Sequence, residues 1–114
     1  MKTKFTKGNW KADLRGGCCA VYPENLSNET NGCHYYDKRN IFYSNKDAKY
    51  NDEKGCWEMS EEAQANAVLI SAAPDMLTAL NDLLVYCRSN STSQLEPLIR
   101  NAENAIQKAT TFSF

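Results

Sequence analysis

The segment Ser60–Leu80 constrains the fold more than any other stretch of the chain. Ser60 is a favourable N-cap, and the two glutamates that follow place negative charge where the helix dipole favours it. Small apolar residues recur at helical spacing on one stripe: Ala63, Ala67 and Ile70. The pattern predicts a helix that ends near Ala73, because the residue before Pro74 avoids the α region.

Two further helices are predicted after that break. Pro74 suits the first position of a second helix, where its missing N–H is not needed. Apolar residues then recur on one face: Met76, Leu80, Leu83, Leu84 and Cys87. Ser93-Gln94-Leu95-Glu96 is a capping box, which predicts that a third helix begins there. The apolar face of that helix consists of Leu95, Leu98, Ile99, Ala102, Ile106 and Ala109.

The first half of the chain has a different period. Trp10–Leu14 alternates between apolar and polar residues, and an apolar run at 18–22 follows Gly16-Gly17, which predicts a hairpin with both glycines in the turn. Aromatic pairs on either side of 37–40 predict a second hairpin. We expect the polar stretch 44–56 to be an irregular loop, although its path is open. Four residues are assigned to the core: Trp10, Val21, Ile41 and Phe42.

These patterns predict an α+β fold. A small antiparallel sheet of three to four strands would pack against three C-terminal α-helices. At 114 residues the chain is predicted to form a single domain, 1–114, with a β-rich part at 1–57 and a helical part at 58–114.

Charge argues against nucleic acid as a partner, because the formal net charge is −1. Residues 1–57 carry 10 basic and 7 acidic side chains (net +3), and residues 58–114 carry 3 and 7 (net −4). The favoured interpretation of this asymmetry is that both charged faces are simply exposed to solvent. The alternative is a dipolar molecule that binds a charged partner with one of its halves.

We expect no membrane association, because no apolar run has the roughly 18 residues that a membrane span needs. Met1–Phe5 has no hydrophobic stretch of the kind found in secretory signals. The predicted location is therefore the cytoplasm, where cysteines are expected to stay reduced.

The segment Ala65–Leu80 resembles the "ANA-x-LIAAAP-x-LL-x-AL" segment of small uncharacterised proteins of tailed phages and prophages. Gly8-Asn9-Trp10 is similar to a Gly-x-Trp element in their N-terminal region, and Ala102–Ala109 resembles their closing "A-x-x-AI-x-KA" helix. Ser71 replaces the usual alanine, and 18–57 has no counterpart in the family. The resemblance implies a phage origin and no particular activity, so the cytoplasm in question would be that of the host cell.

The only soft metal ligands are five cysteines and one histidine: Cys18, Cys19, Cys33, His34, Cys56 and Cys87. A structural zinc site would combine one of the first two cysteines with Cys33, His34 and Cys56. No Cys-x-x-Cys pair is present, however, and adjacent cysteines point to opposite faces of a strand. Buried reduced thiols are the favoured interpretation, and zinc is an open alternative.

No catalytic constellation can be assembled from the sequence. His34 is the only histidine, and its sequence neighbour Cys33 is not placed as thiol–imidazole pairs usually are. The glycine pair lacks the flanking pattern of a phosphate-binding loop. We therefore predict that the protein is not an enzyme and uses no cofactor.

The aromatic residues are the most informative functional signal, because they concentrate in the first half and exceed what a small sheet can bury. Tyrosine, tryptophan and arginine dominate interface hot spots. The predicted partner-binding residues are Tyr35, Tyr36, Arg39, Tyr43, Tyr50 and Trp57. The alternative is that these rings only cover the second face of the sheet.

The sequence hypothesis is thus a phage accessory protein that binds and inhibits or modulates a host protein, for example a defence complex. One alternative is a sponge for a nucleotide-type ligand, with rings that stack on a base and a phosphate held by Lys38, Arg39 or Lys46. A structural zinc domain is another. A homodimer, formed through the sheet edge or a helix face, is compatible with each of them.

Overall fold

The structure is a computed structural model that describes residues 4–29, 34–90 and 92–110, without the side chains of 108–110. The chain forms two compact units. The strand unit is Thr6–Pro74, and the helix-pair unit is Met1–Phe5 together with Asp75–Phe114. The first helix thus groups with the strands. The prediction of one domain remains a prediction.

The strand unit contains a three-stranded antiparallel sheet in the order β1-β2-β3. The strands are β1 (Trp10–Asp13), β2 (Cys19–Pro23) and β3 (Phe42–Ser44). Asp13 lies opposite Ala20, and Ala20 lies opposite Tyr43. The central strand is buried along its whole length, which explains why its sequence is apolar at successive positions.

The predicted hairpin around the glycine pair is confirmed, but its loop is longer than the two-residue turn that was expected. The N–H of Cys18 donates to the carbonyl oxygen of Arg15 over 3.3 Å. Gly16 has a φ of +59°, whereas Gly17 lies outside the positive-φ region. A Cβ added to Gly17 would lie 3.0 Å from the Cβ of Trp57. Gly17 is therefore required for close approach rather than for backbone conformation.

The second predicted hairpin is wrong. Two successive turns occupy residues 34–40, since Asp37 N–H donates to the His34 carbonyl and Asn40 N–H to the Asp37 carbonyl. The Asn40 side chain also donates to the His34 carbonyl, at 3.0 Å. Side chains that bond the local backbone in this way compete with strand pairing. Residues 42–44 therefore pair with β2 and not with the tyrosines.

A hairpin replaces the irregular loop that was expected between residues 44 and 56. Its strands are β4 (Lys49–Asn51) and β5 (Cys56–Glu58), which pair antiparallel. The side chain of Asn51 accepts from the N–H groups of Glu53 and Lys54 at 3.0 and 3.1 Å. Gly55 closes the turn with a φ of +67°. Hydrogen bonds within the turn at residues 51–55 thus bring together two short strands whose sequences have little apolar pattern.

Helix α1 (Glu61–Ser71) covers one face of the sheet. The Ser60 hydroxyl accepts from the N–H of Ala63 at 3.1 Å, as the N-cap prediction requires. The buried core cluster consists of Cys19, Val21, Met59 and Ala67. All four residues assigned to the core from the sequence belong to it or pack against it.

The helix-pair unit consists mainly of α2 (Ala73–Ser89) and α3 (Glu96–Thr110). The break between α1 and α2 falls at Ala72, one residue before the predicted position. Helix α3 begins at Glu96, two residues later than the first helical position that the capping box predicts, and residues 93–95 form a turn. This start puts Pro97 in the first turn, where a missing N–H leaves no hydrogen bond unmade.

Strands followed by three helices confirm the predicted α+β class. Across the described ranges no single helix is long and apolar enough to cross a membrane, and only α1 and α2, bent where they meet, satisfy length and composition as a pair.

Candidate interaction surface

The six predicted partner-binding residues all lie in the strand unit and form two groups. The first, here called the tyrosine cluster, is Tyr35, Tyr36 and Tyr43, with Arg39 in the turn that follows the first two tyrosines. The second, the hairpin pair, is Tyr50 on β4 and Trp57 on β5. Ring contacts are thus found within each of the two groups.

The tyrosine cluster is unusually open to solvent. Tyr35 and Tyr36 are 77% and 68% exposed. Their rings meet edge to face with centroids 5.3 Å apart, and the ring of Tyr35 also lies 6.5 Å from that of Tyr43. Since Tyr43 is paired in β3, the contact ties the exposed rings to the sheet. Large rings held in defined positions lose little side-chain entropy on binding.

Arg39 is fixed by a two-pronged contact with Asp37. Its Nε and Nη2 donate to the two carboxylate oxygens, each at 3.0 Å, and its backbone N–H donates to Oδ1 at 2.9 Å. This hydrogen bonding raises the pKa of Arg39 above its already high ordinary value. One of the two guanidinium edges that can hold a phosphate is therefore already occupied by a carboxylate, which weakens the nucleotide alternative.

The hairpin pair projects from a short, locally braced element. The rings of Tyr50 and Trp57 are 5.6 Å apart in an edge-to-face arrangement, and both residues are about half exposed. The Glu58 carboxylate accepts from the Asn51 side chain at 3.2 Å and lies 3.2 Å from Lys54 Nζ. These contacts, the bond from Asn51 first, lower the pKa of Glu58.

An acidic groove of about 820 Å³ adjoins the hairpin pair. Its charged lining is Asp47, Lys49, Asp52, Glu53, Glu58 and Glu62. Tyr50 forms part of the same wall. Five carboxylates against one ammonium would repel a phosphate and attract basic side chains. Sequence reasoning missed this groove, because it treated 44–56 as an irregular loop and Glu62 only as part of a helix start.

Among the described cysteines, Cys19, Cys56 and Cys87 are free, as the prediction of reduced thiols requires, and Cys18 departs from that prediction. Cys18 is disulfide-bonded, so its sulfur is not available as a thiolate ligand. Cys33 lies outside the described residues. Cys19 is free and buried, and burial raises the pKa of its thiol, whereas Cys56 is free and exposed.

No group of three or more His, Cys, Asp or Glu side chains in the described parts of the chain is placed to hold a metal ion. The zinc alternative therefore has no support from the residues that can be located. His34, the only histidine, has its ring 5.5 Å from that of Tyr36 and belongs to the edge of the tyrosine cluster.

The chain matches the model of a known protein family. The family model described as Salmonella phage P22 protein Y8K6 matches residues 1–112. No curated protein and no solved structure matches the chain. The family match supports the phage origin that the helical segment implied, while that segment itself stays a resemblance. Because the match covers nearly the entire sequence, the chain belongs to the family of Salmonella phage P22 protein Y8K6.

Proposed function

We propose that this phage protein acts without catalysis, by binding a host protein through the tyrosine cluster and the hairpin pair and so inhibiting or modulating it. The observation that carries the proposal is the exposure of Tyr35 and Tyr36 on rings tied to β3. Exposed aromatic residues with an adjacent arginine are the typical composition of interface hot spots.

The acidic groove suggests the chemistry of the partner. A host surface with basic side chains next to an apolar pocket would complement both the groove and the rings of Tyr50 and Trp57. A host defence complex is one candidate of this kind. Nucleic acid and membranes are not proposed as partners, because the groove is acidic and the net charge is −1.

The proposed site of action is the host cytoplasm. The family match supports a phage protein and is silent on compartment. The oxidised Cys18 stands against this location, because structural disulfides are rare in the cytosol.

Affinity capture from host lysate, followed by mass spectrometry, tests the proposal. The baits are the native chain, the double variant Tyr35→Ala/Tyr36→Ala, and Leu69→Ala as a control. Leu69 is an exposed apolar residue on α1, outside both aromatic groups. We expect one host protein to be enriched by the native chain and the control. The double variant should bind that protein at least about 30-fold more weakly, which is the loss expected of a hot spot.

The proposal is wrong if no host protein is enriched, or if all three baits enrich the same proteins equally. Point variants are preferable to removal of residues 33–57, because that deletion would also remove β3, β4 and β5. Tyr50→Ala/Trp57→Ala then shows whether the hairpin pair belongs to the same interface.

A further inference from the structure

The helix-pair unit leaves an apolar surface uncovered on one side. Along α2, Met76, Ala79, Leu83 and Tyr86 follow one another at spacings of three, four and three residues and are all exposed. Leu98 and Ala105 are exposed on α3. These six residues are here called the open face. The spacing is that of the seam along which two helices pack in coiled coils and four-helix bundles.

Leu83 and Leu98 connect the two helices of the open face. Both line an apolar cavity of about 130 Å³ between α2 and α3, yet they are 58% and 63% exposed. The buried side chains of α3 are Ile99 and Ile106, whereas α2 has no buried residue among those described. The two helices therefore bury apolar side chains on one side of their contact and leave apolar side chains on the other side exposed to solvent.

The opposite side of the helix pair carries an ion pair. Arg88 on α2 forms an ion pair with Glu103 on α3. At about 100° per residue, Arg88 lies about 140° around α2 from Leu83. The six residues of the open face are uncharged, and the exposed Asp82 lies at its margin. One edge of the pair is therefore suited to water and the other to another apolar surface.

The size of the open face fits a helix-pair partner. From their exposed fractions, its four large side chains present about 500 Å² of surface. This is more than half of the roughly 800 Å² that each partner buries in an interface of standard size. The small residues Ala79 and Ala105 permit close approach of a facing helix. A second copy offers the same ridges and the same groove, and two copies related by a two-fold axis complete a four-helix bundle.

We propose that the open face is a homodimer interface, in which the helix-pair units of two copies form a four-helix bundle. This proposal does not depend on the host-binding function. It places self-association on α2 and α3 and leaves both aromatic groups, which lie in the strand unit, outside the interface.

Sedimentation equilibrium of the full chain over a range of concentrations tests this assignment. The native chain should run as a dimer of about 26 kDa, twice 12.9 kDa. Leu83→Glu and Leu98→Glu should each raise the dissociation constant at least about 30-fold, because a carboxylate is buried at the centre of the interface. Val85→Glu is the matched control, since Val85 is 66% exposed but lies roughly 160° around α2 from Leu83.

Circular dichroism at low concentration verifies that each variant retains its helices, and Leu98→Gln replaces any variant that does not. A native chain that stays monomeric up to about 0.5 mM overturns the proposal. So does a dimer that survives Leu83→Glu and Leu98→Glu, or one that Val85→Glu dissociates. A monomer destabilised by the Leu83 and Leu98 changes would mean that the chain covers this face itself.

Discussion

The strand unit and the helix-pair unit solve the problem of burial in different ways. In the strand unit, β2 is buried throughout and α1 covers one face of the sheet, so four buried side chains form a core against which partly buried apolar residues pack. In the helix-pair unit, two longer helices bury only Ile99 and Ile106 fully among the described residues. The strand unit therefore completes its core without several of its aromatic residues, which remain exposed on its surface. The helix-pair unit instead leaves several aliphatic residues exposed to solvent.

The largest expected effect is the difference between two valines, one in each unit. Val21 is fully buried and Val85 is mostly exposed. Val21→Ala should lower the free energy of unfolding by about 2 kcal/mol, from lost transfer energy and the cavity left behind. Val85→Ala should change it by less than about 0.5 kcal/mol. Urea denaturation followed by circular dichroism measures both, and equal losses would break the contrast between the units.

The next effect concerns the close approach of Gly17 to Trp57. Gly17→Ala should destabilise the chain by about 1–2 kcal/mol, because the added methyl overlaps the Trp57 Cβ. If this overlap is the cause, the same change in a Trp57→Gly background should cost much less, which a double-mutant cycle on unfolding free energies detects. Additive losses would mean that the turn, and not the tryptophan, demands glycine.

Two serines test the helix starts. Ser60→Ala should cost about 1 kcal/mol, because it removes the bond to the N–H of Ala63. Ser93→Ala should cost little, since α3 begins only at Glu96. The same denaturation measurement applies. A loss at Ser93 as large as that at Ser60 would show that the capping box forms in solution.

The smallest effect is the pH dependence contributed by Glu58. Its pKa is lower in the folded chain than its ordinary value of 4.5. Its stabilising contribution is therefore full above that value and is lost as the pH falls through the folded pKa. Glu58→Gln should slightly flatten the loss of stability on acidification below pH 4.5. Glu53→Gln is a control in the same hairpin turn, and an identical change in both would contradict the role of the Asn51 and Lys54 contacts.

The sequence predicted those parts of the fold that depend on local signals and strong periodicity. The Ser60 cap, the break before Pro74 and the hairpin at the glycine pair can each be recognised within a few residues. Position in the core also followed for Trp10, which is apolar within an alternating strand, and for Val21, which lies in a continuous apolar run. The prediction was most reliable where one residue type has one strong structural preference.

The errors have a common physical origin, namely side chains that bond the nearby backbone. Asn40 turns residues 34–40 away from strand pairing, and Asn51 builds a hairpin from a polar stretch. The sequence shows that these asparagines can form such bonds. It does not show whether the bonds to the local backbone or the pairing of strands is the more stable arrangement. Pairing of β3 with β2 joins residues about 20 positions apart and is set by the core rather than by local sequence. The exposure of the tyrosines and the assembly of the acidic groove depend on the same tertiary interactions, namely which strands pair and which segments form turns.

The different settings of the two tryptophans make the chain its own optical reporter. Trp10 is partly buried, and its indole N–H donates to the Thr6 carbonyl at 3.0 Å, whereas Trp57 is 54% exposed. The chain contains no other tryptophan. A host protein that covers the hairpin pair would shift the emission of Trp57 to shorter wavelength and shield it from iodide, with little change at Trp10. The open face contains no tryptophan, so fluorescence without a label reports directly on a partner at the hairpin pair.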